Sequence, residues 1–304
     1  MIGVLFGLLS AFSWSAANYF IQPAAKRFGD LAALMQAQVC GAVVVIPFAL
    51  WVEGSPPTSI TDQGLAALLI ASVAAMVAYV GLFCALARGR LAIVAPLISS
   101  WTVLSVIIGI FWLGEQMTAL QWTGVGLVIA GNVLLARQRA DDAESDLTRP
   151  RGRFSAGVGW ALLSALGFGF MVPAVDVLGL EAGRLWAIPA VWSCELAMGL
   201  AIWAVGAWYT PIRAAFGPQS LAKDLPQVTE AGRVGLLEVI GFVGLSLGVG
   251  MAPVSIVAPM ASLSTGLSVL WGVHLRQEPL SRGALAGAMM ASLGVVLVSI
   301  PTLV

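Results

Sequence analysis

The stretch Arg88–Leu135, RGRLAIVAPLISSWTVLSVIIGIFWLGEQMTALQWTGVGLVIAGNVLL, decides how the rest of the chain is read. It holds two apolar runs joined by Gly114-Glu115-Gln116-Met117-Thr118, and it recurs. Moved by 163 positions without a gap, Ile93-Val94-Ala95-Pro96 falls on Ile256-Val257-Ala258-Pro259. In the same register Leu104-Ser105 meets Leu267-Ser268, Gly109 meets Gly272, and Glu115 meets Glu278. Gly124 and Gly131 meet Gly287 and Gly294. This many coincidences in one ungapped register indicate an internal duplication.

Composition sets the solvent. Apolar residues make up 59% of the chain and charged ones 10%, against about a quarter charged in soluble domains. Runs of roughly 20 apolar residues recur, each long enough to cross a bilayer as a helix. Barrel strands are excluded because the runs are continuous instead of short and alternating. Ten spans are read: 2–21, 31–52, 65–87, 91–113, 120–136, 157–178, 185–209, 234–249, 254–275 and 283–300. Met1 leads directly into IGVLFGLLSAFSW with no basic segment, which argues against a cleavable signal.

The hydrophilic stretch 138–154 (QRADDAESDLTRPRGRF) divides the chain into halves of five spans, 1–137 and 155–304. The opening spans match on a shift of 154: Leu8-Leu9-Ser10-Ala11 falls on Leu162-Leu163-Ser164-Ala165, and Trp14 on Phe168. The two shifts differ by nine residues (163 against 154), which assigns an insertion to the connection 211–233, a place for an interfacial helix. Lys and Arg gather in alternate connections: Lys26 and Arg27, Arg88 and Arg90, Arg137 to Arg153, Arg213 to Arg233, and Arg276 with Arg282. The opposite side holds only Arg184. The positive-inside rule then sets the linker in the cytoplasm and both termini outside. Five being odd, the second half inserts upside down relative to the first. The expectation is an all-α membrane protein of ten transmembrane helices in two inverted five-helix repeats, a plan common among secondary transporters.

With these residues assembled, the sequence resembles the EamA-type branch of the drug/metabolite transporter superfamily. The likeness rests on Ala85-Leu86-Ala87 before a basic turn, Ile93–Leu97, Gly114-Glu115, the glycines from Gly124 to Gly131, and the early Trp14 and Asn18. It covers both halves, although Gly-Glu becomes Gln277-Glu278-Pro279 and Trp101 becomes Ser264 in the second copy. The resemblance implies a ten-helix metabolite carrier of the cytoplasmic membrane, exporting amino acids or related compounds.

Ionisable groups inside a bilayer cost at least ~2.5 kcal/mol at its centre, so each needs a reason. Glu195 lies eleven residues past Arg184, roughly 16 Å along a helix and near mid-bilayer. Trp192 and Met198 share its face. It serves either as a cavity carboxylate that takes a proton or an ammonium group, or as a protonated acid bonded to a neighbouring helix. Glu238 lies five residues past Arg233, within reach of the interface, with Phe242 on its face. Phe242 is the repeat mate of Tyr79, which pairs in turn with Phe83 at i+4. Trp14 with Asn18, and Trp101 and Ser105 with their mates Ser264 and Ser268, supply an aromatic and hydroxyl lining. The same residue types also serve as interfacial anchors and packing contacts. Acids amid rings suit an organic-cation carrier as a second reading. Pro96 and its mate Pro259 are paired hinge candidates.

Other chemistry finds no footing in the sequence. Cys40, Cys84 and Cys194 lie inside apolar runs and read as packing thiols, and one histidine, His274, makes no metal site. There is no GxxxxGK[ST], HExxH or GxSxG. No enzyme activity, cofactor or metal is expected, and the zero net charge gives no reason to expect nucleic acid. The expected partners are a small-molecule substrate and the lipid bilayer, with the chain acting as a monomer. A channel or lipid scramblase would share this topology.

Overall fold

The computed structural model describes residues 2–101, 103–104, 108, 118–145, 152–209, 216, 219–251, 260–261, 263–278 and 281–298. Among them are ten helices: α1 (Ile2–Phe28), α2 (Asp30–Glu53), α3 (Asp62–Arg88), α4 (Leu91–Ser99), α5 (Ala119–Ser145), α6 (Gly152–Ala182), α7 (Arg184–Trp208), α8 (Leu225–Met251), α9 (Ser264–His274) and α10 (Arg282–Val298). Six of these, α1 to α3 and α6 to α8, are long and apolar enough to cross a membrane. Helix is the form such runs must take in lipid, because it satisfies every backbone N–H and C=O within the segment.

Several sequence expectations change in detail. The helices α5 and α6 run into the hydrophilic linker, to Ser145 and from Gly152. The helix α8 starts at Leu225, nine residues before the expected span. In the inserted connection, Phe216 is helical and residues 219–224 are not, and the rest of 211–218, where an interfacial helix is expected, lies outside the described residues. Pro259, Ser105, Glu115 and the copy Ile256–Pro259 lie outside the described residues.

The turns at α1–α2 and α6–α7 are each one residue long. Gly29 holds φ 90° and ψ 154°, and Gly183, 154 positions on, holds φ 91° and ψ 139°. Only glycine enters that region without strain. Spans four and nine, expected to be continuous, turn at equivalent positions. Ser100 has φ −64° and ψ −7°; Leu263, 163 on, has φ −62° and ψ −14°. The N–H of Ser100 reaches back three residues to the Leu97 carbonyl at 3.3 Å, as that of Leu263 does to Met260 at 3.2 Å. The tightened turn sits four residues past Pro96, which stays buried inside α4.

Packing follows the duplication. The most extensive contacts are α3 on α6, α5 on α10 and α1 on α8. Lipid tails are as apolar as Leu, so helices associate through close van der Waals contact, which small residues permit. At α3–α6, a Cβ on Gly81 would stand 2.7 Å from Ser164 N and 2.8 Å from Trp160 O. At α1–α8, a Cβ on Gly244 would stand 2.8 Å from Ser10 Oγ and 3.1 Å from Phe6 O. These are the same contact twice: Gly81 and Gly244 are repeat mates, as are Ser10 and Ser164, and Phe6 and Trp160.

Candidate functional site

Four helices meet at the centre: α2 and α3 from the first half, α7 and α8 from the second. Their facing side chains leave a cavity with room for about one water molecule, lined by Leu34, Gln38, Tyr79, Phe83, Trp192 and Glu238 among others. Glycine lets the walls close this far. A Cβ on Gly41 would lie 2.7 Å from the Trp192 ring, and one on Gly235 would run into the Ala37 carbonyl.

Both carboxylates expected at the site are buried. Glu238 lines the cavity at 8% exposure, so it does not reach out to the interface, and it accepts a hydrogen bond from the Tyr79 hydroxyl at 3.3 Å. Glu195, 1% exposed, lies one hydrogen bond behind the wall: Gln38 Nε2 donates to its Oε2 at 2.8 Å. Its other oxygen, Oε1, has no donor among the described residues. Both bonds cross between the halves, with the neutral donor on the first and the acid on the second. No basic side chain lines the cavity.

Rings stand behind the lining in two matching pairs. Trp14 meets Phe242 edge-on at 5.4 Å and 77°, and Tyr79 meets Phe168 at 5.2 Å and 77°. Trp192 adds an edge contact to Phe242 at 6.2 Å. Of the expected site residues, then, Tyr79, Phe83, Trp192 and Glu238 line one cavity, Glu195 joins it through Gln38, and Trp14, Phe168 and Phe242 support its rings. Asn18, Trp101 and Ser264 are not in its lining. Ser268 is fully buried and bonds Ser15 at 3.4 Å instead.

Gln38 joins the site without any motif to mark it. The signal was there, because an amide eight residues into an apolar span needs a partner as an acid does. No motif marks the ion pair of Arg88 with the buried Asp30 at 2.6 Å either, where the Cys84 thiol also donates to Asp30 at 3.2 Å. Glu278, noticed only as part of the repeat, accepts from the N–H groups of Leu91 and Ala92, both at 2.9 Å. It caps the start of α4 from the opposite half, where helix N–H groups lack partners. Arg276 stacks on the Tyr19 ring and donates to the Tyr19 carbonyl. Burial pulls its guanidinium below its ordinary value while Glu278 and Tyr19 hold it up.

Side-chain bonds join helix ends on both sides of the bundle. On the side rich in Lys and Arg, Arg27 bonds Glu230 at 2.6 Å beside the Asp30–Arg88 pair. On the other, Thr61 Oγ1 donates to Glu181 at 2.7 Å, and Glu53 accepts from Leu185 N at 3.1 Å. Arg27 and Glu181 are themselves 154 positions apart.

The comparisons place this helical arrangement among transporters. Residues 1–137 match the EamA-like transporter family. An uncharacterized transporter in the cobO 3' region of Sinorhizobium sp is 30% identical over 129 residues, 42% of this chain and 92% of that protein. The chain belongs to the EamA-like transporter family. This EamA-type chain is therefore a multi-pass membrane protein of the drug/metabolite transporter kind. A protein crystal structure, 13% identical, matches with a TM-score of 0.65 over 97% of this chain and 96% of that one, a likeness of fold alone.

Proposed function

We propose that this EamA-type protein is a secondary-active carrier working by alternating access, with two inverted five-helix repeats, 1–137 and 155–304, around the central cavity. In this reading it lies in the cytoplasmic membrane with the linker 138–154 inside and both termini outside. The observation that carries the proposal is the twice-made ring contact, Trp14 on Phe242 and Phe168 on Tyr79. Two halves related by a pseudo-twofold axis must make each contact between them in duplicate; Tyr79 of one pair lines the cavity and Phe242 of the other touches its Trp192 wall. A cavity the size of one water admits an organic solute only when helices part. The ties on the two sides of the bundle, opened in turn, supply the gates. The equivalent turns at Ser100 and Leu263 are natural places to bend.

The resemblance to the family suggests export of amino acids or related compounds. The test is counterflow with the purified full-length protein in proteoliposomes: uptake of a labelled amino acid or organic amine that saturates and is accelerated by the same unlabelled solute inside. Flux that rises linearly with concentration would make it a channel and overturn the carrier reading. For orientation, a single cysteine at Gln219 should be shielded from an impermeant thiol reagent in intact cells and one at Thr58 exposed; the reverse pattern would invert the topology.

A further inference from the structure

The chemistry of the cavity restricts its cargo, on the carrier reading above. We propose that the site binds the ammonium head of a small organic amine that carries no carboxylate, and that each cation entering displaces one proton from the Glu195–Glu238 pair.

The first ground is charge. Glu238 lines the site, Glu195 lies just behind its wall on Gln38, and no basic side chain lines it. An amine finds a counter-charge there once a carboxyl gives up its proton; the carboxylate of an amino acid finds no basic partner, and a like charge wherever an acid is ionised. The second ground is Glu195 itself. It is 1% exposed, and its Oε1 has no donor among the described residues. A buried carboxyl oxygen in that position is satisfied by its own proton or by a cation. The third ground is the wall of rings from Tyr79, Phe83 and Trp192, whose π faces attract cations.

The ionisable neighbours of Glu195 are few. Tyr79 approaches from α3 and Glu238 from α8. From α2 come the neutral Gln38 amide and Cys40, whose thiol faces Gly232 on α8. The acids of α6, Asp176 and Glu181, lie at its far end, where Asp176 pairs with Arg184. The exchange balances: a protonated carboxyl gives its proton to water on the open side, and the carboxylate formed accepts N–H bonds from the ammonium group. Both acids belong to the second half and both donors to the first, so the exchange acts on the bonds that hold the halves together.

The experiment compares phenethylamine with phenylalanine, which differ by one carboxylate, on the purified full-length protein. Calorimetry gives affinity, and an indicator dye in weak buffer counts protons. Phenethylamine should bind at least tenfold tighter than phenylalanine, release close to one proton per molecule, and tighten about tenfold per pH unit as pH rises. Glu195→Gln should weaken binding tenfold or more and flatten the pH slope; Glu195→Asp should restore the slope. If Glu195→Gln does not fold, the proton count on the native chain decides. Phenylalanine binding as well as the amine, no binding of the amine, or binding without proton release each overturns the proposal. Saturable amino acid counterflow alongside any of these would leave the carrier reading standing; linear flux would remove that instead.

Discussion

The α5–α10 crossing and the central cavity come from the same duplication and have gone opposite ways. At the crossing the copies kept their glycines. A Cβ on Gly131 would stand 2.5 Å from Gly287 O and 2.6 Å from Ala291 N. A Cβ on Gly294 would stand 2.6 Å from Gly124 O and 2.7 Å from Val128 N, the equivalent contact seen from the other helix. At the cavity the copies diverged. Glu195 stands where the first half has Gly41, Glu238 where it has Ala75, and Trp192 where it has Gln38. Contacts between backbones tolerate no change, so they preserve symmetry. A site that must distinguish one solute from another gains by losing it.

Mutations can break this contrast. The largest effect belongs to the crossing: Gly131→Leu and Gly294→Leu should each cost more than about 3 kcal/mol, because the obstacle is backbone. Fluorescence-detected size exclusion would read both as loss of folded protein. A clear difference between the two would mean the crossing is not equivalent from its two sides. Next comes a pair of mates that diverged in charge. Asp30→Asn removes the counter-charge of Arg88 at a buried acid, although Arg88 keeps its bond to the Cys84 carbonyl, and should cost about 1–2 kcal/mol. Arg184→Gln, at the equivalent position but with an exposed partner, should stay within about 0.5 kcal/mol. Thermal unfolding in detergent compares them, and equal losses would deny that burial separates them.

At the cavity, Gln38→Leu removes the only described donor to Glu195 and should destabilise by about 1–3 kcal/mol. Most of that loss should vanish in a Glu195→Leu background, which a double-mutant cycle measures. The smallest effect concerns the ring pairs. Cycles for Trp14 with Phe242 and for Tyr79 with Phe168 should each give a coupling of about 0.5–1.5 kcal/mol. A coupling in one pair and none in the other would show that one contact is incidental.

The ring pairs also mark how far the sequence could be followed. The shifts of 154 and 163 made Trp14 the mate of Phe168 and Tyr79 the mate of Phe242 before any contact was known. They could not say that each residue packs against the other's mate, because equivalence in a repeat fixes position within a half and not which half it touches. Glu195 was legible as a buried acid from its depth alone. Its partner Gln38 was not, being 157 residues away on a helix whose rotation the apolar pattern leaves open: a span that faces lipid and protein alike has little amphipathic face to read. Pro96 pointed to bending in span four, yet the turn came at Ser100, where the N–H bonds to the Leu97 carbonyl three residues back.

By itself the sequence determined that the chain is helical and membrane-spanning, since bilayer thickness and backbone hydrogen bonding leave few alternatives for such runs. Tertiary structure alone decided which helices meet, and so which residues become a site. It set Gln38 against Glu195 and Tyr79 against Glu238, and it turned Glu278 from a repeat marker into the cap of a helix in the other half. These are short-range contacts between residues far apart in the chain, and close packing, rather than hydropathy, selects them.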